Sequence, residues 1–365
     1  MRILIIKTSS LGDVIHTLPA LTDAAQAIPG LRADWVVEEA FAEIPTWHPA
    51  VDNVIPVAVR RWRRNWWQAL RAGELSAFRR RLRVHDYDLV IDAQGLLKSA
   101  VMTRMARGPK AGLDRHSIKE PVASRFYQRT VAVPRAEHAV QRVRQLFASL
   151  LAYVYDPQRI DYGLTTSGRL APGSATGRPA LMFLHGTTWD SKHWPEAYWR
   201  ELAHLATEAG YSVRLPWGNL SEQERALRIA DGIASAQVLE RLSLGALASV
   251  MHQCQGVVAV DTGLGHLAAA LNRPTVSIYG ATNPFLSGTF GYHQLQLKAS
   301  LPCAPCLRRE CQYRGEPLLD KTREQPVLEV KPACYRSATP VDVLAHLQRV
   351  MDQSRDENTG TGEVS

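Results

Sequence analysis

Asp261, Thr262, Gly263, Leu264 and His266 stand together in the run VVAVDTGLGHLAAAL at 257–271. A β-branched strand breaks at Asp261-Thr262-Gly263, and the glycines at 263 and 265 are expected to turn backbone amides toward whatever sits above the strand's carboxyl end. A helix starting there carries roughly half a positive charge and unpaired N–H groups, so it suits a phosphate held without a metal. A plain strand-to-helix turn has the same sequence, and this stretch alone leaves both readings open. Asp-Thr-Gly also marks aspartic proteases, where it comes twice and leads into β structure. Here it leads into a helix, which excludes that chemistry.

Three further loops carry chemistry. The opening strand runs into Thr8-Ser9-Ser10-Leu11-Gly12-Asp13, where Asp13 is either a helix cap or a carboxylate placed to take a proton from a hydroxyl. No Gly-Lys-Ser or Gly-Lys-Thr follows, so ATP hydrolysis has no support. In the second half, His185-Gly186-Thr187-Thr188 precedes Lys192; a lysine point charge beside two hydroxyls suits a diphosphate, although a surface lysine has the same appearance. Glu222 follows the turn Trp217–Ser221 and is either a helix N-terminal acid or a ligand for ribose hydroxyls.

The elements that must position these residues alternate. Strands are predicted at 1–7, 34–37, 54–57 and 87–93, with helices at 14–28 and 137–151 and a basic, aromatic-studded helical stretch at 60–83. A second series is predicted from a strand at 180–185, through helices at 196–209, 222–233 and 244–253 and strands at 211–215, near Val238 and at 257–260, to a strand at 275–279 and a last helix at 341–351. Such alternation implies parallel sheets with helices on both faces. The expected fold is α/β, two doubly wound Rossmann-like domains facing a central cleft. Residues 165–179, rich in Gly, Ser, Thr and Pro, read as the linker. The expected domains are 1–165 and 166–352, with 353–365 a disordered tail.

Composition narrows the partners. With 365 residues, 45% apolar and 21% charged, the chain has room for two cores. Basic residues number 43 against 35 acidic, a net +8, with much of the excess between Arg60 and Arg83. That pattern fits a nucleic acid, an anionic lipid headgroup or a phosphorylated sugar. The start, MRILIIK, is too short for a signal-peptide core and no run nears the ~18 apolar residues of a membrane span. A cytoplasmic protein that touches a membrane without crossing it is expected. Cys303, Cys306, Cys311 and Cys334 are enough for a tetrahedral zinc site, but at a non-standard spacing, and reduced loop-buried thiols are the favoured reading.

KTSSLGDVIHTLPAL near the start, RRWRR at 60–64, DAQGLLKSA at 92–100, KHWPEAYWRELA at 192–203 and DTGLGHLAAALNRPTVSIYG at 261–280 together resemble the lipopolysaccharide heptosyltransferases, most closely the branch that adds the first heptose. That family's GT-B fold is the twin architecture just described. The resemblance implies an inverting transfer of heptose from ADP-L-glycero-D-manno-heptose to the Kdo of Kdo2-lipid A at the inner-membrane surface. Asp13 becomes the general base; Thr187, Thr188, Lys192 and the amides of Thr262, Gly263 and Leu264 hold the diphosphate. Glu222 meets the ribose, Leu242 packs on adenine, and Asp261 and His266 contact the heptose or its phosphate. On the acceptor side the resemblance implies Ser10, Arg60, Arg61, Arg63 and Lys98.

No cofactor is expected. The one Asp-x-Asp, Asp86-Tyr87-Asp88, stands at the entry of a strand, so no catalytic metal is expected either. A nucleic-acid partner is set aside because no nucleic-acid module is recognisable. The rival functions are transfer of heptose onto heptose and non-catalytic binding of a nucleotide sugar or anionic lipid.

Overall fold

A computed structural model of the chain describes residues 1–164, 178–320 and 328–360. The expected linker lies almost wholly outside them, as do residues 361–365. Two compact units divide the chain, Met1–Arg169 and Leu170–Ser365.

The first unit runs β1 (Arg2–Ile6), α1 (Leu11–Ile15), α2 (Leu18–Ala27), β2 (Arg32–Glu38), β3 (Val51–Val57), α3 (Val59–Arg64), α4 (Trp66–Arg71), α5 (Glu74–Arg81), β4 (Leu89–Asp92), α6 (Leu97–Met105), β5 (Lys110–Leu113), β6 (Arg129–Val131) and α7 (Ala139–Leu151). Its strands pair in parallel in the order β3-β2-β1-β4-β5-β6. Ile3, Leu4, Ile5 and Ile6 are all fully buried, because helices cover both faces of a parallel sheet. Each such side chain contributes about 1.5–3 kcal/mol by leaving water.

Two expected helices are broken. The one predicted at 14–28 divides into α1 and α2 around His16 and Thr17, where Pro19, lacking an N–H, occupies the first turn of α2. The basic stretch at 60–83 becomes three short helices. Asn65 leaves helical geometry at φ −136° between α3 and α4, and Gly73 takes the left-handed φ of 70° before α5.

The second unit runs β7 (Ala180–Leu184), α8 (Glu196–Glu208), β8 (Ser212–Leu215), α9 (Leu220–Ala230), β9 (Ala236–Val238), α10 (Leu244–Gln253), β10 (Gly256–Val260), α11 (Gly263–Ala270), β11 (Thr275–Tyr279), α12 (Pro284–Ser287), β12 (Gln294–Lys298), the antiparallel pair β13 (Leu319–Asp320) and β14 (Leu328–Glu329), and α13 (Pro340–Gly360). Its main sheet is ordered β12-β11-β10-β7-β8-β9. Read from the β9 edge and counted within its own unit, that is the order of the first sheet. Both are Rossmann sheets whose strand order reverses at one point, between β1 and β4 and between β7 and β10.

An aromatic cluster anchors the second core: Trp194 and Trp199 meet edge to face at 5.0 Å, and the Trp194 indole donates to Ala338 O at 3.0 Å. The last helix does not stop at Met351 as expected. It continues through the first part of the predicted tail to Gly360, and Arg355 pins that extension by donating to Gln255 Oε1 at 2.7 Å. Among the described residues, no helix is long and apolar enough to cross a membrane.

Candidate active site

In open α/β sheets ligands bind beyond the carboxyl ends of the strands, where the order reverses. In the first unit the loops after β1 and β4 meet there. Asp92, the last residue of β4, accepts from the amides of Gln94 and Gly95 at 2.8 and 2.9 Å and from Tyr127 Oη at 2.7 Å. Burial pushes its pKa up against those donors. This rigid turn aims Gln94, whose Oε1 accepts from the amides of Thr8 at 3.0 Å and Ser9 at 3.1 Å. The two loops are thereby stitched together.

Asp13 occupies the third position of α1, and its Oδ2 accepts from Ser10 N at 2.7 Å and Ser10 Oγ at 2.9 Å. The capping role is therefore real. Oδ1 lies 3.8 Å from Lys7 Nζ, and the Asp13 side chain is 44% exposed, so the carboxylate still has lone pairs open to a ligand. Lys98 is exposed at the second residue of α6. Arg60, Arg61 and Arg63 are exposed on α3, which follows β3, two strands from β1. Arg60 N donates to Glu38 Oε1 at 3.1 Å. Arg61 pairs with Glu74 at 2.8 Å and Glu39 at 3.3 Å, so two carboxylates already share its charge. Asp86 and Asp88 precede β4 at the opposite, amino end of the sheet.

In the second unit the loops after β7 and β10 converge on Asp261. Its Oδ2 lies 2.7 Å from Lys192 Nζ and accepts from Thr282 Oγ1, while its backbone carbonyl accepts from Thr187 Oγ1 at 2.9 Å. Lys192 also sits 4.3 Å from the Trp189 ring centre, a cation–π contact. Thr188 is exposed in the same loop. Thr262 caps α11 in an extended conformation, and the amides that open this helix have no acceptor within it.

The two glycines act differently from the expectation. Neither Gly263 nor Gly265 has a positive φ; both lie in the first turn of α11. A side chain at 265 would press on Ala259 Cβ at 3.3 Å, so Gly265 lets the helix settle on its strand. His266 is buried behind it.

Glu222 is the third residue of α9 and accepts from Gly218 N at 2.7 Å. A Cβ at Gly186 would meet Glu222 Cδ at 2.8 Å, which places this carboxylate directly against the end of β7. Leu242 is half-buried in the segment between β9 and α10.

Sequence reasoning missed Lys7, Gln94, Trp189 and Thr282. The rule that found Lys192 would have found them, because each lies just beyond a strand's carboxyl end. The four late cysteines do share one cavity of about 350 Å³. Cys303 and Cys311 are exposed and only Cys306 and Cys334 half-buried, against the expectation of buried thiols. Among the described residues, no group of three or more His, Cys, Asp or Glu is arranged to hold a metal ion.

Two Rossmann sheets of one topology, each with polar residues gathered at its reversal point, define a GT-B-like fold. Residues 75–316 match the model of glycosyltransferase family 9 (heptosyltransferase). Lipopolysaccharide heptosyltransferase 1 of Pseudomonas aeruginosa is 56% identical over 96% of this chain and 98% of its own. Two solved structures of the Escherichia coli heptosyltransferase WaaC are similar: that with ADP at 51% identity and a TM-score of 0.79, and that with ADP-2-deoxy-2-fluoro heptose at 50% and 0.77. Each covers 82% of this chain and 94% of the other. The chain belongs to glycosyltransferase family 9 and is a heptosyltransferase.

Proposed function

We propose that the chain transfers L-glycero-D-manno-heptose from ADP-heptose to a Kdo hydroxyl of Kdo2-lipid A, with inversion and without a catalytic metal, in building the lipopolysaccharide inner core. The observation that carries the proposal is the cluster at the second reversal point. Lys192, Thr187, Thr282 and the opening amides of α11 collect around Asp261, a donor-rich spot suited to a nucleoside diphosphate.

In the proposed reaction Asp13 takes the proton of the Kdo hydroxyl as its oxygen attacks heptose C1. The bond from C1 to the phosphate oxygen breaks, and the electron pair leaves with ADP. Lys192, Thr187, Thr188 and the amides of Thr262, Gly263 and Leu264 stabilise the charge gained there. Glu222 meets the ribose, Leu242 the adenine, and Asp261 and His266 the heptose or its phosphate. Ser10, Arg60, Arg61, Arg63 and Lys98 receive the acceptor's carboxylates and phosphates. Residues 1–165 thus serve the acceptor and 166–352 the donor.

The protein works on the cytoplasmic face of the inner membrane without spanning it. Supporting this, Trp66 and Trp67 are 52% and 61% exposed and stack at 3.8 Å beside Arg63 and Arg64, a composition suited to an anionic lipid interface. Transfer from ADP-heptose to Kdo2-lipid A and to its monoheptosylated product, with EDTA present throughout, tests the function. Product on the first acceptor alone is expected. Product only on the second would make this a second-heptose enzyme, and product on neither would overturn the assignment of these acceptors.

A further inference from the structure

The basic stretch at 60–83 reads as one feature in the sequence, but the fold sends its two ends to opposite ends of the first sheet. Arg60 to Arg64 follow β3 at the carboxyl end, beside the candidate site. Arg79 in the last turn of α5 and Arg83 just past it lie at the amino end, before β4 begins. There they meet a second basic group. Arg79, Arg83, Arg104, Arg107 and Lys110 line one cavity of about 510 Å³. The helix α6 connects the two regions, opening near Lys98 at the reversal point and closing at Arg104 on the cavity.

Among the described residues, no acidic side chain lines this cavity. Asp86 approaches Arg107 only to 3.9 Å and is itself 83% exposed, so it neutralises little. Lys110 opens β5 and is 7% exposed, with its ammonium donating to Gly108 O. Burial, then the charges of Arg104 and Arg83, push its pKa down. Helix dipoles explain only part of the cluster. Arg79 and Arg104 lie in the last turns of α5 and α6, where cations are favoured, but Arg83, Arg107 and Lys110 lie beyond the helix ends, where that field has fallen away. Like charges held together around a partly enclosed space, with a buried lysine as one wall, are what an anion site requires.

We propose that this cavity is a second anion site, remote from the transfer chemistry, that binds a phosphate group carried either by a free anion or by a phospholipid headgroup. Guanidinium forks fit phosphate oxygens in pairs, and Lys110 adds a point charge. The proposal is independent of the heptose-transfer reading.

Calorimetric titration of the full chain with inorganic phosphate and, separately, with glycerophosphoglycerol at matched ionic strength tests it. The proteins compared are wild type, Arg79→Ala/Arg104→Ala, Arg107→Ala and Lys192→Ala. The three arginines are exposed, so their loss leaves the fold intact, and a melting temperature in chloride at or above wild type verifies this. At least one of the two ligands is expected to bind roughly tenfold more weakly to the double variant and measurably more weakly to Arg107→Ala. Lys192→Ala should retain that binding. Tighter binding of phosphate identifies a soluble anion, and tighter binding of the diester a lipid headgroup. The proposal is overturned if neither ligand binds wild type, if the double variant binds as wild type does, or if Lys192→Ala alone abolishes binding.

Discussion

Lys192 Nζ and Asp261 Oδ2, from loops that follow β7 and β10, stand 2.7 Å apart with side chains only 15% and 12% exposed. The lysine is therefore held in place before any ligand arrives, and part of its charge is offset by the aspartate. Under the proposed donor role, an incoming diphosphate would compete with Asp261 for the ammonium.

Lys192→Ala should weaken ADP binding about tenfold and also slow transfer, since one charge-assisted contact is worth roughly that much. Asp261→Asn removes the competitor and should bind ADP at least as tightly as wild type while transferring heptose more slowly. Calorimetry with ADP on both variants decides the matter. Equal loss of affinity in the two would show that Asp261 supports the diphosphate and does not compete with it.

Asp13→Asn keeps an oxygen able to accept from Ser10 N, so the start of α1 and the melting temperature should be preserved. Turnover should nevertheless fall by ~10² or more with ADP-heptose affinity nearly unchanged. Steady-state kinetics with both substrates varied makes the comparison, and undiminished turnover would remove Asp13 from the mechanism.

On the acceptor side the two arginines of α3 should behave differently. Arg61 is shared between Glu39 and Glu74, whereas among the described residues Arg63 makes no such pair. Arg63→Ala should raise the acceptor KM about tenfold, and Arg61→Ala less. A rise confined to the donor KM would contradict the assignment of this face.

Acid stability should depend on His48, which is 2% exposed. Its Nδ1 accepts from Ala50 N at 3.1 Å and its Nε2 lies 2.9 Å from Thr22 Oγ1. Burial lowers its pKa to about 4, below the unfolded value of about 6.5. The neutral ring's contribution is thus complete above pH ~6.5 and lost as pH falls toward 4, on the order of 3 kcal/mol in all. Thermal melts between pH 7 and 4 should show that fall, and His48→Gln should flatten it. An unchanged acid slope in the variant would assign the effect to other groups, His185 among them.

Why some of this was legible in the sequence and some was not has a physical basis. β1, β7 and β10 carry continuous apolar runs because both of their faces are covered, so the runs announce themselves. β5, Lys-Ala-Gly-Leu, and β6, Arg-Thr-Val, are too short and basic for any period to show, and β12 has a polar residue at every second position. The loop residues Asp13 and Lys192 were visible because polar residues after a buried strand are conspicuous. The contact between Lys192 and Asp261 was not, since it depends on β7 and β10 being neighbours, and five helices and strands, α8 to α10, separate their sequences. The charge run at 60–83 misled for the same reason. Asn65 and Gly73 fold it back along the sheet, and continuity in sequence ceases to be proximity in space.

The repeated strand order has its own consequence. Each unit presents a lysine to an aspartate at its reversal point, Lys7 to Asp13 at 3.8 Å and Lys192 to Asp261 at 2.7 Å. In the first the lysine is the hidden partner and the carboxylate faces outward; in the second the two are equally covered. With the roles proposed above, one scaffold would carry two polarities, proton acceptor in one copy and anion holder in the other. Under the proposed roles, a change of acceptor needs edits in only one copy, so new core sugars become accessible to descendants without renegotiating the donor.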